Sequence, residues 1–228
     1  MRYLIPNADD FGFTRDVNLG IIEAHRQGIL TATTLMATGP AFENAVELAR
    51  QNPELDIGVH LVLVDSEGFP PTIPRLLFSL GGIKIYDQLV LQVRKVLDAG
   101  LQPTHLDTHK HTHLLPQVFN AVTRIAREFN IPWVRRRLLL PTYGCRTTDH
   151  FAGFRMNVDS ASLSNLIRHL PEGTTEFMCH PGLCTAELRA ARTRLKESRR
   201  RELDALTSPE VRAALEESGV KLARYRDL

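Results

Sequence analysis

Apolar positions along the chain follow two periods. Short runs of strand length, at 3–8, 31–37, 56–63, 103–108, 131–135, 175–179 and 219–224, alternate with stretches in which apolar residues recur every three or four positions. Val118, Ala121, Val122, Ile125, Ala126 and Phe129 fall on one helical face. Phe42, Ala45, Val46 and Ala49 form a second stripe, and Leu89, Val93, Val96 and Leu97 form a third that stops before Gly100. Thr14 reads as the N-cap of a helix carrying Val17, Ile21 and Ile22. Strands separated by helices predict parallel pairing through crossover connections. Seven strands suit an open doubly wound sheet or a distorted, incomplete (β/α) barrel, and in both the chemistry belongs at the C-terminal ends of the strands. Two stretches, 65–84 with Pro70, Pro71, Pro74 and Gly81-Gly82, and 139–158, read as long loops of the kind that shape functional sites.

Composition narrows the setting. A chain of 228 residues, 43% hydrophobic, fills one core, so residues 1–228 are expected to form a single domain. A net charge of +2 gives no field that would gather nucleic acid or an anionic membrane. No run reaches the roughly 18 apolar residues of a membrane span, and Met1-Arg2 leads straight into Tyr3-Leu4-Ile5 without a secretion signal, so the expected location is cytoplasmic. Cys145, Cys179 and Cys184 are odd in number and lack CxxC spacing, which argues against a disulfide framework and a thiolate zinc site. Residues 187–203, ELRAARTRLKESRRREL, carry seven Arg and Lys residues, but three glutamates dilute the charge, and Leu188, Ala191 and Leu195 mark an amphipathic surface helix.

The polar residues gather where that fold would place chemistry. Asp9 and Asp10 end the first run, His60 lies in IGVHLVL, the fourth run enters THLDTHKHTH, and His180 follows the sixth in EFMCHPG. His105, Asp107, His109, His111 and His113 occupy every second position, and in an extended chain they would share one side. Two imidazoles and a carboxylate with open positions form the donor set of a catalytic divalent metal. Neighbouring carboxylates on a regular strand point to opposite faces, but at a strand end the backbone can turn and bring both into one cavity. One can then hold a cation while the other takes a proton from water; the competing assignment has the pair capping the helix that begins near Thr14.

NADDFG, GVHLVL, THLDTHKHTHLLPQ, CRTTDHFAGF and CHPG, in this order, resemble the YdjC-like carbohydrate deacetylases, and the resemblance runs from MRYLI to VKLARYRDL. It implies a distorted (β/α) barrel and a divalent metal, Mg²⁺ or Zn²⁺, held by Asp10, His60 and His109. It further implies Asp9 as general base, His180 as general acid, and Asp107 orienting a ligand imidazole. His111 and His113 would stand behind the ligands or toward substrate. The implied reaction removes an N-acetyl group from a small acetylated amino sugar, in a protein that is a homodimer. Arg135, first of Arg135-Arg136-Arg137, is a candidate to orient a carboxylate or bond substrate; Tyr143 and Phe151 are candidates to stack on sugar, and Trp133 reads as core. Three features depart from the family pattern. Pro6 removes a ladder donor from the first strand, Lys110 interrupts the histidine run, and 65–100 is short. The rival readings are a metal-dependent phosphoesterase, which lacks a GxxxxGK[ST] loop and a second carboxylate set, and a non-catalytic sugar- or metal-binding protein.

Overall fold

The structure is a computed structural model describing residues 1–64, 84–136, 142–153 and 158–228. Strands β1 (Arg2–Phe11), β2 (Ala32–Leu35), β3 (Asp56–Leu61), β4 (His105–Thr108), β5 (Trp133–Val134), β6 (His150–Ala152), β7 (Gly173–Cys179) and β8 (Lys221–Leu222) form one parallel sheet. Its order is β5-β4-β3-β2-β1-β7-β6, with β8 pairing to β1 below the start of β2. The sheet curls into an incomplete barrel, and a bridge between Trp133 and Arg146 brings the chain leading into β6 against the β5 edge.

Helices α1 (Arg15–Gln27), α2 (Phe42–Arg50), α3 (Ile85–Asp98), α4 (Pro116–Glu128), α5 (Ser160–Arg168), α6 (Ala186–Ala190), α7 (Glu197–Leu206) and α8 (Pro209–Ser218), with 3₁₀ turns at His109–Leu114 and Tyr225–Asp227, complete the described elements. Their ends are set by local chemistry. The Thr14 hydroxyl accepts from the Val17 amide at 3.2 Å, Asp159 and Ser162 close a reciprocal box at the start of α5, and Pro116 and Pro209 open α4 and α8. The stripes on α2, α3 and α4 join Leu4, Ala8, Val59 and Leu106 in the main core. Ile5, Ala32, Trp133, Ala223 and Tyr225 form a second cluster. Leu4 and Ile5 thus bury opposite faces of the same strand, which is why β1 reads as a continuous apolar run.

Two expectations need correction. The stretch 139–158 is not loop throughout, because it contains β6, whose three residues are only half-buried and give little hydrophobic signal. Residues 187–203 are not one surface helix: α6 and α7 are separate, and α7 turns Arg199 and Glu202 inward. Pro6 is neither at an edge nor at a strand end. Its carbonyl accepts from the Thr31 amide, so its ring nitrogen faces the seam between β8 and β2. There the Thr31 hydroxyl donates to the Ala223 carbonyl at 2.7 Å and supplies the partner a proline cannot. Most of loop 65–84 lies outside the described residues.

Candidate active site

The two aspartates face one cavity because β1 is irregular at its end. Its register against β2 shifts between Ala8 and Phe11, and Asp10 adopts φ 69°, in the left-handed region that a non-glycine residue rarely enters. The turn lets both carboxylates point inward, and neither caps α1, whose N-cap is Thr14. Asp9 follows Asn7 on the same face of β1, and the Asn7 amide donates to Asp9 Oδ1 at 3.3 Å.

His60 on β3 and His109 just past β4 meet Asp10. His60 Nε2 and His109 Nδ1 each lie 3.3 Å from Asp10 Oδ1, and 3.3 Å from one another. Asp10 Oδ1 is buried, yet no hydrogen bond of acceptable geometry reaches it. A buried carboxylate oxygen facing two imidazole nitrogens calls for positive charge beside it, and these donors match a divalent metal in chemistry and number. Behind His60, Nδ1 lies 2.7 Å from Asp107 Oδ1, while the Thr34 hydroxyl donates to Asp107 Oδ2 at 3.0 Å. Such a contact fixes the tautomer in which Nε2 carries the free lone pair.

Asp9, His60 and Asp107 also cluster, but a cation already sits among them. Arg135, directly after β5 and 3% exposed, places Nη2 2.6 Å from Asp9 Oδ1 and 2.7 Å from Asp107 Oδ2, and Nε 2.8 Å from Glu176 Oε1. Its guanidinium bridges three buried carboxyl groups, and its positive charge at their centre disfavours a metal ion in this cluster. Burial alone would raise the pKa of Asp9, but the Arg135 guanidinium overrides it and holds the carboxyl well below the usual range. For Asp10 burial is likewise outweighed, first by the guanidinium of Arg199 and then by the two imidazoles. Burial dominates at Glu176, which is pushed up to about 7 despite Arg135.

His180 follows β7 with Nε2 4.0 Å from Asp9 Oδ2, and its backbone amide donates to Glu202 on α7. The histidine run is not extended. β4 stops at Thr108, Lys110 and His111 take φ 55° and 53°, and residues 109–114 wind into a 3₁₀ turn, so the alternation expected for His109, His111 and His113 does not occur. His113 is buried with Nδ1 2.7 Å from the Thr108 hydroxyl. His111 packs edge-on against His113 and Phe151, and burial, helped by Arg135, lowers its pKa to about 4. His105 lies below the site, stacked on Tyr225 at 3.9 Å with Nε2 2.9 Å from Asn7 Oδ1.

Asp9, Asp10, His60, Asp107, His109, Arg135 and His180 therefore converge, with His111 adjoining them through Phe151, whose ring lies 5.4 Å from the Arg135 guanidinium carbon. Tyr143 is half exposed, Trp133 is core, Arg136 donates to the Thr148 carbonyl, and Arg137 lies outside the described residues. Sequence reasoning missed Arg199, whose Nη2 is 2.5 Å from Asp10 Oδ2, and Glu176, which anchors Arg135.

The sequence profile of the YdjC-like protein family matches residues 3–217. A protein of Clostridium beijerinckii named carbohydrate deacetylase is 33% identical over 99% of this chain and 99% of its own length. One of Geobacillus stearothermophilus with the same name is 36% identical over 99% and 98%. Among solved structures, a proposed cellobiose-phosphate cleavage protein of Enterococcus faecalis superposes with TM-score 0.87 at 30% identity, covering 99% of this chain and 98% of that one. A family 4 carbohydrate esterase of Streptomyces lividans, TM-score 0.53 and 10% identical over 98% and 91%, shares the fold. With a profile match over most of its length and relatives above 30% identity end to end, the chain belongs to the YdjC-like family.

Proposed function

We propose that this protein is a carbohydrate deacetylase that hydrolyses the N-acetyl group of a small acetylated amino sugar, a chito-oligosaccharide or an N-acetylglucosaminyl conjugate. The reading is carried by end-to-end likeness to proteins named carbohydrate deacetylase, and the donor set Asp10, His60 and His109 supports it. Those three residues would hold one divalent cation, Mg²⁺ or Zn²⁺. Bound there, the cation supplies Lewis acidity toward the acetamide carbonyl and acidifies the attacking water.

The protein's own groups do the rest. Asp9, kept ionised by Arg135, accepts a proton from the water. His180 donates a proton to the leaving nitrogen, because an amine departs from a tetrahedral centre only when protonated. Its ring lies 4.0 Å from Asp9, close enough for a proton to reach it through the reacting atoms. Asp107 holds His60, and His111 with Phe151 lines the approach for the sugar. No described helix is long and apolar enough to cross a membrane, and the family likeness supports a homodimer as the assembly to test.

The test is acetate release from diacetylchitobiose by metal-stripped protein resupplied with Mg²⁺ or Zn²⁺, with Asp9→Ala alongside. Release that returns with metal and is lost in Asp9→Ala supports the reading. Phosphate release from a phosphorylated disaccharide instead would favour a metal-dependent phosphoesterase, whose chemistry a His and Asp cluster also serves. Metal binding without turnover of either compound would favour a binding protein.

A further inference from the structure

Arg199 is 1% exposed and belongs to none of the groups the proposed chemistry uses. Removing a guanidinium from water is costly and is tolerated only where it is paired. Its Nη2 donates to Asp10 Oδ2 at 2.5 Å and its Nε to the Leu195 carbonyl at 3.3 Å, while Nη1 is buried without a partner among the described residues. The chain makes room for this side chain. A Cβ on Gly182, in CHPG, would meet Arg199 Cδ at 3.2 Å, and a Cβ on Gly20 of α1 would meet the Gly182 Cα at 2.4 Å. The Gly182 amide donates to the Arg199 carbonyl at 3.1 Å, so the His180 loop and the first turn of α7 are tied together at this point.

We infer that Arg199 is a positioning residue: by pinning Asp10 Oδ2 it turns Asp10 into a one-oxygen ligand whose Oδ1 is aimed at the space between His60 and His109. The inference rests on the reading of Asp10, His60 and His109 as a metal site. Without Arg199 the carboxylate is free to rotate about its last bond, and its left-handed backbone alone does not choose which oxygen faces the imidazoles. Partners of this kind hold the ligand in the bound geometry beforehand, and their loss typically costs about 10- to 100-fold in metal affinity. The opposing effect is repulsion between a guanidinium and a nearby cation, which on its own would make removal of Arg199 tighten binding.

Zn²⁺ titration of the metal-stripped full-length protein, by calorimetry, separates the two effects. Arg199→Met is expected to weaken Zn²⁺ binding by about 10- to 100-fold, and Arg199→Lys to recover part of the loss, because it restores the charge but not the fork. Gly182→Ala keeps the charge and crowds the Arg199 stem, so it should give an intermediate loss and serves as the test if Arg199→Met does not fold. Asp10→Ala is the reference. If Asp10→Ala removes Zn²⁺ binding while Arg199→Met and Gly182→Ala bind within about twofold of the parent, or tighter, the positioning role is overturned. If Asp10→Ala itself leaves binding unchanged, the metal-site reading fails and takes this inference with it.

Discussion

Arg135 grips Asp9 with both ends of its fork, Nη1 to Oδ2 at 2.9 Å and Nη2 to Oδ1 at 2.6 Å. The same guanidinium reaches Asp107 and Glu176, so a single cation is shared among three buried carboxyl groups drawn from β1, β4 and β7. Arg135→Lys keeps the charge and loses the planar fork, so Asp9 loses its fixed orientation. The expected result is a fall in kcat of about 10- to 100-fold with KM and metal content nearly unchanged. Arg135→Met leaves the carboxylates uncompensated and should cost about 3–5 kcal/mol in urea denaturation near neutral pH. An Arg135→Lys enzyme with the parent's kcat would show that Asp9 needs only a nearby charge.

Asp9 and His180 face the cavity without belonging to the Asp10, His60 and His109 set, which predicts two separable classes of variant. Asp9→Asn and His180→Gln should retain stoichiometric metal and lose about 10²- to 10⁴-fold in kcat, the usual worth of a positioned acid or base. Asp10→Ala, His60→Ala and His109→Ala should lose metal and activity together. Metal analysis after gel filtration, beside acetate release, reads both. A His180→Gln enzyme at full rate would move the acid elsewhere, with His111 the next group to examine.

Glu176 gives a pH signature in stability. Burial lifts its pKa from 4.5 to about 7 in the folded protein, against a partial opposing pull from Arg135. A carboxyl raised on folding binds more protons in the native state than in the unfolded one between those values. Its ionisation therefore destabilises the fold as pH climbs from about 4.5 to 7, by an amount on the order of 3 kcal/mol once complete. Glu176→Gln removes that titration while keeping an acceptor for Arg135. The melting temperature of Glu176→Gln relative to the parent should rise between pH 5 and pH 8. A difference that stays flat would mean that Arg135 keeps Glu176 ionised throughout.

Much of this arrangement was legible in the sequence, for reasons particular to each residue. Apolar runs located β1 and β3, where burial on both sides of a parallel sheet leaves a strong signal, and three-four periodicity located α2, α3 and α4. The doubled carboxylate announced a turn at the strand end, and the turn is the left-handed Asp10. The histidine run misled, since nothing in the residue types of Lys110 and His111 reports positive φ angles, and the extended period was therefore carried past Thr108. Arg199 was hidden in a charged stretch whose average is that of a solvated helix. Its partner lies 189 residues away, and pairing over that distance leaves no local pattern. Glu176 was hidden for the converse reason, as one polar position in a strand whose neighbours Phe177, Met178 and Cys179 read as core.

Below the site, Tyr225 of the C-terminal segment closes the bottom of the barrel. It stacks on His105 at 3.9 Å, meets Trp133 edge-on at 5.7 Å, and is buried among Ile5, Ala32 and Ala223. Emptying so enclosed a space is costly because the strands around it cannot collapse inward, and removal of a buried aromatic typically costs about 3–5 kcal/mol. Tyr225→Ala should lose that much stability in urea denaturation, whereas Tyr225→Leu, which refills part of the volume, should lose clearly less. Asn7 and His105 stand between Tyr225 and Asp9, so both variants should bind metal like the parent as long as they are folded. A Tyr225→Ala protein as stable as the parent would show that the C-terminal segment lies against the barrel without sealing it.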